Sequence, residues 1–115
     1  MDSEEMKRRT KQFAINVGVL TQGLPDSQIN RAYSNQIIRS SSSVGANYRA
    51  SRRAKSNADF INKLKIVEEE LDESLFFLEL LAFFNQPQKE DIGILYREGE
   101  TLLKIIVASI VSSRK

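Results

Sequence analysis

The stretch RSSSSVGANYRASRRAKSNADFINKLK, residues 39–65, decides the architecture. Just upstream, Ile29, Tyr33 and Ile37 recur at four-residue spacing, and the stripe continues inside the stretch through Ser40 or Ser41, Val44 and Tyr48. That is one face of an α-helix, expected over residues 27–50. Four consecutive serines are unusual in such an element because their hydroxyls compete for backbone groups, so a loop over residues 40–43 is the alternative reading. The uninterrupted stripe favours helix. The serines, Gly45 and Ala46 would then let a neighbouring helix approach closely. Residues 51–57 break the pattern, and a second stripe follows: Phe60, Leu64, Val67, Leu71, Leu75, Leu78 and Ala82, stopped by Asn85-Gln86-Pro87.

Working outward, Met6, Phe13, Val17, Leu20 and Leu24 make a further helical stripe, with a helix expected over residues 3–22. Ser3 is the expected N-cap, with Glu4 and Glu5 suiting the positive helix end. Gly23-Leu24-Pro25-Asp26 supplies a stop and a new start. Ile92, Leu95, Tyr96, Leu102, Leu103, Ile106 and Ile110 mark a last helix over residues 89–112. Four amphipathic helices with short connections imply an all-α fold, an antiparallel up-down-up-down four-helix bundle, with residues 1–115 as one domain.

The residues that are missing exclude whole classes of chemistry. The 115 residues include no cysteine, histidine or tryptophan. Disulfide scaffolds, thiolate metal sites, Ser-His-Asp triads and histidine general bases are therefore ruled out. The glutamates of the third helix are mostly consecutive and point different ways around it, unlike a carboxylate-bridged metal site, and the serine run lacks a base. The expectation is a non-enzyme with no metal and no cofactor. The start, MDSEEMKRRTKQF, lacks an apolar secretory core, and the apolar runs at 75–84 and 102–111 are roughly half the ~20 residues that span a bilayer. A soluble, cytoplasmic protein without membrane association is expected.

The net charge of +2 decides little, but its distribution is informative. Residues 39–65 carry Arg39, Arg49, Arg52, Arg53, Lys55, Lys63 and Lys65 against Asp59 alone, whereas residues 66–100 are predominantly acidic. In the expected topology the start of the first helix, the end of the second, the start of the third and the end of the fourth share one pole. Lys7, Arg8, Arg9 and Lys11 therefore join Arg49, Arg52, Arg53, Lys55, Lys63 and Lys65 there. Such a pole attracts phosphates with strong salt dependence and little sequence readout. A solvated helix end is the bland alternative, and Lys7 to Lys11 can equally be ordinary exposed surface. Tyr48 belongs to a core stripe, with stacking on an unpaired base as the other reading.

Arg39 is different. Folding the second helix back on the third about residue 55 brings Arg39 level with Leu71, among Glu69, Glu70 and Glu73. An ion pair inside the bundle is expected there. The last third of the third helix is apolar nearly all round, more than one bundle can bury. Phe76, Phe77, Phe83 and Phe84 are the candidate oligomer interface, unless the first and fourth helices cover them.

At SSSSVGANYRASRRAKSNADFINKL followed by EEELDESLFFLELL, the chain resembles the bacterial four helix bundle protein family. That family includes proteins encoded in intervening sequences of large-subunit ribosomal RNA genes, and it is similar to the accessory variability determinants of diversity-generating retroelements. The matching positions are Arg39-Ser40, Ser43, Gly45-Ala46-Asn47, Asp59-Phe60, Glu69-Glu70 and Glu73. The likeness is good over residues 33–81 and rests on architecture alone beyond them. Two positions depart from the pattern: Arg49 stands where many relatives have glutamate, and Phe76-Phe77 where many have an aromatic pair with tryptophan. The resemblance implies a four-helix bundle, often a ring-shaped pentamer, with a nucleic-acid-linked role rather than catalysis. The functional expectation is a homo-oligomer that binds RNA or DNA weakly through its basic end, as an accessory to a reverse transcriptase or to rRNA. The competing expectation is a protein-interaction scaffold that does not itself bind nucleic acid.

Overall fold

The computed structural model describes residues 2–115, and three of its four long helices begin at a side-chain cap. The four are α1 (Ser3–Gln22), α2 (Gln28–Ser51), α3 (Asn57–Phe84) and α4 (Lys89–Ser113), with a single 3-10 turn, Gln86–Gln88, before α4. Ser27 Oγ accepts from the Asn30 N–H at 3.0 Å, and Ser56 Oγ from the Asp59 N–H at 3.1 Å. Each satisfies one orphan donor of the first turn. At the start of α1 the cap is Asp2, not Ser3 as expected: its carboxylate accepts from the Glu5 N–H at 2.8 Å. A charged acceptor at the positive end of the helix is the stronger partner. The serine run lies wholly inside α2, which resolves the loop alternative in favour of helix.

The four helices make an antiparallel up-down-up-down bundle, 45 × 20 × 20 Å overall. α2 and α3 share the most extensive contact, α3–α4 and α1–α2 follow, and α1 touches α4 least. The backbones of the diagonal pairs stay farther apart, separated by the core. Phe13, Val17, Ile37, Val44, Leu64, Val67, Leu71, Leu78, Leu81, Leu102 and Ile106 fill one continuous core drawn from all four helices. Gly99 belongs to that core for lack of room: a Cβ there would sit 2.8 Å from Leu75 Cδ2 and 3.4 Å from the Phe13 ring.

Small and polar residues set the spacing between helices. Ser40 and Ser74, both fully buried, meet at 2.9 Å across α2 and α3. Ser74 Oγ also reaches the Glu70 carbonyl at 2.9 Å and Ser40 Oγ the Ile37 carbonyl at 3.3 Å, so either hydroxyl can be the donor of the pair. On the α1 side Gly45 lies against Thr10, where an added Cβ would be 3.6 Å from the Thr10 backbone. Thr10 is itself fully buried and satisfies its hydroxyl on the Met6 carbonyl at 2.8 Å. Two small-residue faces on one helix thus seat α2 between α1 and α3.

Arg39 reaches Glu73 at 2.5 Å and stands 3.8 Å from Glu70. Glu69 is exposed and lies outside this group. At the far end of the bundle Asn30 and Asn85 are buried against each other, a contact the sequence reading did not anticipate. Among the described residues no helix is long and apolar enough to cross a membrane.

Candidate nucleic-acid interface

The basic pole is built by one turn and the helix ends around it. α2 ends at Ser51, and the N–H groups of Arg52 and Arg53 turn back onto the Arg49 and Ala50 carbonyls at 3.1 and 3.0 Å. This tight exit sends the arginine side chains outward at the bundle end. α3 then starts at once from its Ser56 cap. Asn57 donates to the Ser113 carbonyl at 2.9 Å, which ties the start of α3 to the end of α4.

The result is an open groove of about 950 Å³ running past the end of α2. Ala46 and Ala50 lie in it, and their short side chains leave it unfilled. Lys7 comes from α1, Arg49 from α2, Arg52, Arg53 and Lys55 from the turn, and Lys63 from α3, with Asp59 the only acid. Arg49 and Ala46 also line a smaller groove between α1 and α2 that includes Lys11, so the two depressions share a wall. Arg8 and Lys65 are exposed but line neither groove.

The cations expected at this pole are not equally available. Arg9 points to α4, where its Nε and Nη2 donate to the two Glu98 carboxylate oxygens at 3.1 and 2.6 Å. The hydrogen bond to Glu98 raises the Arg9 pKa further above its ordinary value. This fork is a structural link between α1 and α4. Lys7 pairs with Glu4 at 3.0 Å, and Lys63 with Asp59 at 2.9 Å. Asp59 also accepts from the Lys55 N–H at 3.0 Å. That backbone hydrogen bond, followed by the one from Lys63, holds the Asp59 carboxyl below its ordinary range. Arg52 lies over the Phe60 ring, 5.7 Å from its centroid, a cation–π contact that helps orient the guanidinium. Arg49, Arg53 and Lys55 have no carboxylate partner among the described residues.

Tyr48 is only 7% exposed, and burial pushes its hydroxyl pKa up. It serves as core beneath the pole, not as a stacking platform. No group of three or more acidic side chains among the described residues is arranged to hold a metal ion.

The candidate interface residues lie away from this pole. Phe76, Phe83 and Phe84 are 54%, 72% and 50% exposed, so α1 and α4 do not cover them. Phe77 is half-buried against Tyr33 of α2, with ring centroids 6.0 Å apart, and Tyr33 also meets Phe84 at 6.1 Å. The aromatic cluster therefore spans the α2–α3 side. On the opposite side Val19 and Ile94, both exposed, line a shallow groove between α1 and α4.

An all-α four-helix bundle with a basic pole defines a class of small helical proteins, and the comparisons narrow it. The chain belongs to the 23S rRNA-intervening sequence protein family, whose model matches residues 3–108. It is similar to a solved protein of unknown function from the S23 ribosomal protein family of Bacteroides thetaiotaomicron. The two are 33% identical, the match covers 91% of this chain and 97% of the other, and the TM-score is 0.83. No curated protein matches.

Proposed function

We propose that the protein is a non-enzymatic, homo-oligomeric accessory factor that binds RNA or DNA weakly and with little sequence preference through its basic pole. The observation that carries this reading is the groove in which six cationic side chains from three helices and one turn converge against a single carboxylate. Phosphate oxygens are the ligands such donors suit, and arginine can fork two donors onto one phosphate. With about four cations uncommitted to carboxylates, single-stranded binding should fall with salt at a log–log slope of about −3. The family description supports an association with rRNA, and the retroelement resemblance supports a reverse transcriptase as the alternative partner.

The exposed phenylalanines support assembly. The aromatic face on α2–α3 and the Val19–Ile94 face on α1–α4 lie on opposite sides of one bundle. Docking one onto the other in the next copy is a heterologous contact, which closes into a ring when the rotation permits. The family resemblance suggests five copies. In such a ring the basic poles would lie side by side and their fields would add.

Fluorescence anisotropy with labelled oligouridine and oligothymidine, titrated across about 50–200 mM salt, tests the binding. The expected result is an affinity that falls steeply with salt and is lost in the Arg49→Glu, Arg52→Glu, Arg53→Glu triple variant. Salt-independent affinity, or no binding at low salt, sinks the reading. In that case the aromatic face supports the second reading, a protein scaffold, and a partner retained after nuclease treatment would establish it.

A further inference from the structure

The groove contains one residue of the wrong sign for a phosphate site. Asp59 is the third residue of α3 and completes a reciprocal cap. Ser56 Oγ accepts from the Asp59 N–H at 3.1 Å, and Asp59 Oδ2 accepts from the Lys55 N–H at 3.0 Å. This half of its role needs an acceptor but not a charge. Its other oxygen, Oδ1, holds Lys63 Nζ at 2.9 Å. A carboxylate in that position does to Lys63 what a phosphate oxygen would do.

We propose that Asp59 is an internal competitor for the phosphate site: its carboxylate occupies Lys63 in the free protein and limits how tightly the basic groove holds a nucleic-acid backbone. This rests on the basic-pole reading and adds a residue that sets its affinity. Three observations converge on it. Asp59 is the only acid among the groove residues. It is bonded at once to the backbone of one groove lysine and to the ammonium of another. Its carboxyl is also held in the ionised form by those same donors, so the competing charge is permanent at neutral pH.

The competitor is positioned by the fold rather than by chance. The residue that caps α3 must sit within the first turn, and that turn opens directly off the arginine-rich exit of α2. An asparagine in the same place keeps an oxygen for the Lys55 N–H and loses the charge. Lys63 is then released to the groove. Removing one carboxylate and freeing one ammonium at a solvent-exposed site is expected to tighten binding about fivefold at low salt. The log–log salt slope should steepen by about 0.7 on single strands, one additional phosphate contact.

The test is a cycle of four proteins on labelled oligouridine: wild type, Asp59→Asn, Lys63→Gln and the double variant. Asp59→Asn should bind about fivefold tighter with a steeper salt slope. Lys63→Gln alone should weaken binding, because it leaves the Asp59 carboxylate in the groove without its counter-charge. In the double variant most of the gain should vanish. Circular dichroism of each protein checks that α3 still forms. If wild type binds and Asp59→Asn binds equally or less well, the competitor role is overturned while the basic pole stands. The same holds if the gain persists without Lys63. If no variant binds at low salt, the basic-pole reading itself fails.

Discussion

Asn30 and Asn85, 55 residues apart, exchange two amide hydrogen bonds of 2.8 Å each. Each amide nitrogen spends its second hydrogen on a backbone carbonyl at 2.8 Å, Asn30 on Pro25 and Asn85 on Leu81. The pair therefore joins the α1–α2 turn, the start of α2 and the end of α3 in one satisfied network. Both residues are buried, so truncating either leaves its partner without water. Asn30→Ala and Asn85→Ala should each cost about 1–3 kcal/mol in urea unfolding. Replacing both should cost less than the sum of the single changes.

The Arg39–Glu73 pair should be worth much less. Its guanidinium is 56% exposed, and a screened surface pair is expected to couple by about 0.2–1 kcal/mol. A double-mutant cycle with Arg39→Ala and Glu73→Ala measures this. The neighbouring Glu70 Oε2 is buried without a hydrogen-bond partner and 3.8 Å from Arg39. Arg39→Ala should consequently cost more than the Glu73 coupling alone accounts for.

Gly99→Ala should destabilise the bundle despite alanine's better helix propensity. The propensity gain is about 1 kcal/mol. Against it stands an added Cβ 2.8 Å from Leu75 Cδ2, and overpacking of a filled core costs about 1–3 kcal/mol. A net loss of up to about 2 kcal/mol is expected, with Leu75→Val in the same chain recovering part of it.

Asp59 gives a pH dependence with a defined sign. Its folded pKa is lowered, chiefly by the Lys55 N–H and then by Lys63. The ionised carboxylate therefore adds stability above the ordinary aspartate pKa of about 3.8, and this is lost as pH falls through the lower folded value. In thermal unfolding the advantage of wild type over Asp59→Asn should be full above pH of about 5 and shrink as the pH falls below the ordinary aspartate value.

Phe83 separates assembly from folding. Its ring is 72% exposed, so Phe83→Ser should change unfolding of the dilute protein by under about 0.5 kcal/mol. Mass in solution by light scattering should nonetheless fall relative to wild type. An unchanged mass would remove this face from the interface.

Much of the fold is legible in the sequence because its signals are local. Ser27 and Ser56 stand one residue before their helices, and proline and glycine stand near the stops. The Arg39–Glu73 level follows from folding two helices about a short turn, since a short turn fixes register. Arg9 is the opposite case. Its partner Glu98 lies 89 residues away on a helix to which α1 has no direct connection, so no turn sets that register. The Asn30–Asn85 network escapes for a related reason: an asparagine at a helix end ordinarily reads as solvated, and only the meeting of two distant ends buries it. The basic pole was readable as charge plus topology. What spacing cannot convey is which of its cations already hold a carboxylate.

The tie between Asn57 and Ser113 also fixes where attachments emerge. With α1 starting and α4 finishing at the same pole, any affinity handle, fluorophore or fusion partner joined at either extremity would hang over the arginine groove. It would shade the groove, and a polyhistidine handle would add cationic character as the pH drops. A reporter is better placed in the turn at Gly23 to Asp26, some 40 Å away by the length of a ~28-residue helix. There it can follow binding without taking part in it.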